Sequence, residues 1–248
     1  MKASQIRRDD NGVPQLNREF IENKAIEIIE YYKPSVLKEP QLTPLAEISL
    51  SMSKEFNIPF IFDQDLGCTK KGNKILGKFR IESRSVFVDA SLDPNDPRWR
   101  FTLAHEIGHL IFHRSLRLVE NNIVEHNSEI TDTVRQILRF NLTPKTPYEW
   151  LEWQANKFAA SLLMPNNSIR KALALWMSAE SIRRPGYLYV DNEYHNIETM
   201  FKALNHLKMM YQTSSKATEV RLKELNLLND VRNNNFKHVV ELLREETT

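Results

Sequence analysis

The stretch Arg100-Phe101-Thr102-Leu103-Ala104-His105-Glu106-Ile107-Gly108-His109-Leu110-Ile111-Phe112 decides how the rest of the chain is read. Around two histidines and a glutamate, its remaining positions are apolar on most sides of a helix. A helix of that kind is buried, and burying two imidazoles and a carboxylate without partners is costly. Just upstream, Asp96 can cap a helix and Pro97 can start it, so the sequence predicts one helix from there through His113. On it His105 and His109 stand about 6 Å apart along the axis and point the same way. Both can offer a ring nitrogen to one metal ion. Glu106 points beside the pair, where it reaches a water on the metal better than the metal itself. Zinc lowers the pKa of such a water to about 7, and Glu106 can take its proton and pass it to a leaving amine. Random placement of the chain's histidines and glutamates would give this pattern only about 0.02 times. It is therefore read as chemistry rather than as two satisfied core histidines.

A catalytic zinc site needs a third protein ligand and an open position. The long pattern that would supply a third histidine nearby requires Gly at 112 and His at 115, but the chain has Phe112 and Ser115. The ligand must come from another segment. Thr146-Pro147-Tyr148-Glu149 is a capping box with proline at the first helical position, and it predicts a helix that runs to Met164 and stops at Pro165. Glu152, Ala155, Asn156 and Ala159 share one face of it, and the two alanines would allow a close approach to the motif helix. Glu152 is the preferred third ligand. Glu149 is its rival, although the capping box already gives that residue a task. His113 lies about 12 Å along the axis from His105 and cannot easily share one metal with both histidines, so a supporting or core role is expected.

Working outward, residues 1–16 read as a polar, loosely ordered tail. Residues from Asn17 to about Tyr32 form an amphipathic helix ended by Lys33-Pro34, and a second helix runs from Thr43-Pro44 to Phe56 with Thr43 as N-cap. Three short segments, 58–62, 75–81 and 85–89, alternate or are apolar between turn residues and read as a small antiparallel sheet. The fold class expected is α+β.

The net charge of +2 supplies no strong field toward nucleic acid or membrane. The single cysteine, Cys68, excludes an intramolecular disulfide and a thiolate metal site. The first residues hold no apolar stretch of signal-peptide length, and no apolar run is long enough to span a bilayer. A cytoplasmic location is expected.

The motif block, followed by Glu152-Trp153-Gln154-Ala155-Asn156-Lys157-Phe158-Ala159-Ala160-Ser161-Leu162-Leu163-Met164-Pro165, resembles the ImmA/IrrE-type metallopeptidases. The second block is similar to the family's E-x-x-A-N-x-F-A-x-x-L-L-M-P signature, whose Glu is the third zinc ligand. The resemblance implies a gluzincin-like intracellular endopeptidase with one zinc ion per chain, held by His105, His109 and Glu152, with Glu106 as general base and acid. It also implies a protein substrate, a repressor-type DNA-binding protein cleaved in response to stress or mobile-element signals. The gap between His109 and Glu152 is longer than is usual for the family, so 114–146 reads as an insertion within a core of residues 17–165. Tyr148, Tyr187, Tyr189, Tyr194 and His195 are candidates for stabilising the oxyanion.

Residues 166–248 read as a helical C-terminal subdomain. Tyr187-Leu188-Tyr189-Val190 is expected as a short strand or hairpin arm. Helices are expected at 197–210 and 216–228, joined by a turn, an arrangement similar to a helix-turn-helix. Its basic residues are offset by Glu198, Glu219 and Glu224, so packing is preferred over direct DNA binding. Two rivals to the peptidase are a regulatory protein that keeps the fold and acts by binding a partner or DNA, and a zinc hydrolase acting on a non-peptide substrate. Glu106 opposes the first rival, since pure scaffolding has no use for that carboxylate.

Overall fold

The computed structural model describes residue 8 and residues 12–69, 72–114, 126–128, 144, 146–182 and 186–232. The expected insertion at 114–146 lies mostly outside them. The fold is mixed α+β, as expected.

Helix α1 (Arg18–Tyr32) begins where Asn17 accepts a hydrogen bond from the Phe20 amide, and it buries Ile21, Ala25 and Ile29 at four-residue spacing. A single-turn helix α2 (Ser35–Lys38) follows the break at Lys33-Pro34. In α3 (Leu45–Phe56) the N-cap position falls on Pro44, not on Thr43. Thr43 is buried, and its hydroxyl donates 2.8 Å to the Leu162 carbonyl. A long-range partner has taken the oxygen that local sequence assigned to capping.

Strands β1 (Phe60–Ile61), β2 (Gly77–Arg80), β3 (Ser85–Val88) and β4 (His126–Ser128) form a sheet in the order β1-β3-β2-β4. Antiparallel pairing joins β3, β2 and β4, with Gly77 opposite both Val88 and Ser128. The first strand joins β3 in parallel. Two chain reversals separate β1 from β3, so the two run in the same direction.

The sheet lies on α4 (Pro97–His113), which Asp96 caps through the Arg98 amide with Pro97 in the first turn. The capping box at Thr146 and Glu149 forms as expected and opens α5 (Pro147–Leu163). Helices α4 and α5 pack closely: a methyl group on Gly108 would sit 3.0 Å from the Ala155 Cα. Residues expected in the loose tail are packed instead, with Val13 and Leu16 buried.

Beyond α5 lie α6 (Asn166–Ala179), β5 (Leu188–Val190), α7 (Tyr194–Tyr211), α8 (Ser215–Glu224) and β6 (Leu228–Asp230). The last helix stops at Glu224 rather than reaching Leu228. Asn226 turns the chain at positive φ, and the residues after it pair in parallel with β5. One hydrophobic cluster runs from Leu16 through α4 and α5 to Leu228. Among the described residues, no helix is long and apolar enough to cross a membrane.

Candidate metal centre

The four-residue spacing on α4 brings the Nε2 atoms of His105 and His109 within 2.9 Å of each other. From α5, the Glu152 carboxylate places one oxygen 3.4 Å from His105 Nε2 and the other 3.4 Å from His109 Nε2. One potential ligand atom from each residue lies within 4.8 Å of the other two. Both histidines are fully buried, whereas Glu152 keeps 14 % of its side chain exposed, so the centre borders solvent at that carboxylate.

The orientation of the rings supports a cation here. Asn156 Oδ1 lies 2.9 Å from His105 Nδ1, and an amide oxygen only accepts, so Nδ1 carries a proton and the neutral ring keeps its lone pair on Nε2. His109 Nδ1 is likewise engaged, 2.8 Å from His113 Nδ1, and its Nε2 turns inward. Two imidazole nitrogens and a carboxylate converge on one point, which is a donor set that suits zinc. Burial opposes charge on the Glu152 carboxyl, but the adjacent imidazoles of His105 and His109 outweigh it and hold the group well below the ordinary carboxylate range.

Glu106 is fully buried next to this cluster. Strand β2 presses on it from the other side: a methyl group at Gly77 would lie 2.6 Å from Glu106 Oε1 and 2.5 Å from Thr102 Cγ2. Glycine is needed here because backbone and carboxylate approach this closely. Glu106 thus stands between the motif helix and the sheet.

The family model described as the IrrE N-terminal-like domain, a peptidase family, matches residues 68–223. The chain belongs to this family. The match spans α4, α5 and most of the C-terminal helices, so this family member carries both sequence blocks inside the family's own extent. No curated protein matches the sequence significantly.

The structure brings His105, His109 and Glu152 together with Glu106 beside them. Glu149, the rival ligand, stays at the helix start, where it closes the capping box. His113 contacts His109, in keeping with a supporting role. Of the oxyanion candidates, Tyr148 is exposed one turn before Glu152, and Tyr194 is exposed at the start of α7. The support from Asn156 to His105 was not assigned from sequence. The available signal was its position four residues after Glu152, on the same helical face.

Proposed function

We propose that this family member is a zinc-dependent endopeptidase acting inside the cell on a protein substrate, a DNA-binding repressor. The observation that carries the catalytic part is the convergence of His105, His109 and Glu152 beside a buried Glu106. The substrate class and the location rest on the resemblance of the two sequence blocks and on the single cysteine.

His105 and His109, with ring orientations held from behind, and Glu152 from the facing helix would hold one zinc ion. The ion would supply Lewis acidity toward the scissile carbonyl and make a water molecule acidic enough to be attacked by a base at neutral pH. Glu106 takes a proton from the attacking water and returns it to the leaving amine. Its place against Gly77 keeps the carboxylate aimed along one direction, so little reorganisation is needed during proton transfer. A scaffold that acted only by binding would have no need to bury a carboxylate at this point.

The test is the Glu106→Gln variant, which removes the base and keeps the shape. It should bind zinc as the wild type does, lose roughly 10²–10⁴-fold in peptide hydrolysis, and retain its substrate on purification. A wild-type chain without near-stoichiometric zinc, or a Glu106→Gln variant that cleaves at the wild-type rate, would remove the peptidase reading. Retention of a protein that is not a transcriptional repressor would remove the substrate class alone.

A further inference from the structure

Behind His109 lies a chain of buried hydrogen bonds whose proton positions can be read from one end. Gln154 Nε2 donates to the Pro14 carbonyl at 2.6 Å. A carbonyl only accepts, so this contact fixes which way the amide faces. The atom turned toward His113 is therefore Gln154 Oε1, 3.0 Å from His113 Nε2. An amide oxygen also only accepts, so His113 Nε2 carries a proton. With His113 neutral, its bare Nδ1 faces His109 Nδ1 at 2.8 Å, and His109 is the donor in that contact. With its proton on Nδ1, His109 has its Nε2 lone pair directed at the centre. His109, His113 and Gln154 are each fully buried, so water does not compete for these bonds.

We propose that His113 and Gln154 are positioning residues which, anchored on the Pro14 carbonyl, set the tautomer of His109 and thereby the zinc affinity of the site. The proposal rests on the zinc reading above and extends it. A histidine ligand is commonly oriented by one group behind it, and loss of that group costs about 10–100-fold in metal affinity. Here two side chains and a backbone carbonyl act in series. The anchor is distant in sequence: Pro14 stands 140 residues before Gln154 and outside residues 68–223 matched by the family model. Pro14 is flanked by buried Val13 and Leu16, so the relay ends on packed backbone. Zinc affinity thus becomes sensitive to the backbone at Pro14, far from the ligands in sequence.

Two measurements test this on the full-length chain. The first needs no variant: nitrogen-15 chemical shifts of the imidazoles in the zinc-loaded wild type report which ring nitrogen bears the proton. His113 should be the neutral Nε2–H form and His109 should be protonated at Nδ1; an Nδ1–H or doubly protonated His113 overturns the relay. The second is Gln154→Met, which keeps volume and removes both bonds without touching a ligand. Zinc affinity, read by competition with a chelating indicator, should fall about 10–100-fold, with the His113 signal shifting toward the other tautomer. A variant that binds zinc within about threefold of wild type, or weakens it while His113 keeps its Nε2–H signature, overturns the proposal and leaves the peptidase reading standing. A wild type that binds no zinc overturns both.

Discussion

The α4–α5 pair and the C-terminal part both bury polar side chains, and they do so in opposite ways. Around α8 the buried charges are matched. Arg221 donates 2.5 Å to Glu22 of α1 and 3.0 Å to the Met164 carbonyl. Glu22 also accepts from Ser161 of α5, and Lys157 pairs with Glu224. Asp230 accepts from Arg232 at 2.8 Å and faces Lys223 at 3.2 Å. Apart from the local Asp230–Arg232 pair, these contacts tie one part of the fold to another. Between α4 and α5, by contrast, two imidazole nitrogens and a carboxylate converge on a single point, and the groups behind the histidines hold them in that direction. Matched buried charge is a sign of architecture, while convergent electron-pair donors are a sign of a site.

The sharpest way to break the comparison is to remove one converging donor. Glu152→Ala should abolish stoichiometric zinc binding while the fold, read by circular dichroism, persists. Glu149→Ala should keep the zinc, since that residue closes the capping box at the helix start. The reverse pattern would show that the two carboxylates have been assigned the wrong way round.

How far sequence reached follows from the distance between partners. His105, Glu106 and His109 were legible because their relation is set within one helical turn, and Asp96 and Pro97 mark the start of that helix locally. The capping box at Thr146 and Glu149 is equally local. Glu152 was reachable because its helical face could be drawn and Glu149 was already occupied by the capping box; the resemblance then pointed to the same residue. Other features depend on groups far away in the chain. Thr43 looked like an N-cap until its hydroxyl met the Leu162 carbonyl 119 positions later. Leu228 continued an apolar helical pattern, yet pairing with Leu188 made it a strand. Gln154 carried no signal of its own, because its role depends on the backbone of Pro14.

A smaller effect is expected from unmatching the charges around α8. Glu22→Ala removes the nearer carboxylate of the buried Arg221 guanidinium, leaving Glu224 at 4.0 Å, and this should cost about 1–3 kcal/mol in denaturant unfolding while zinc affinity stays at the wild-type value. Adding Arg221→Met to Glu22→Leu should recover most of that loss, since replacing a buried pair by apolar groups is often close to neutral. A loss of zinc that tracks the loss of stability would mean that the two regions are not separate in the way described.

The smallest effect concerns pH. Burial opposes ionisation of Asp230, but the bonds from Arg232 and the charge of Lys223 outweigh it and hold the carboxyl below its ordinary value of 3.8. A carboxyl depressed in the folded state binds a proton more weakly there than in the unfolded chain. It therefore contributes stability that is fully present above the unfolded value and is lost as pH falls through and below it. Asp230→Asn should reduce stability by about 1–2 kcal/mol at neutral pH, and the gap to wild type should close as the pH drops below the ordinary carboxylate range. Denaturant unfolding in the presence of a chelator removes any contribution from zinc loss at His105 and His109, so the gap reports the matched charges alone. A gap that stayed constant into acid would mean that Asp230 acts through shape and not through its charge, and the contrast between matched ion pairs and converging donors would then hold for Arg221 but not for β6.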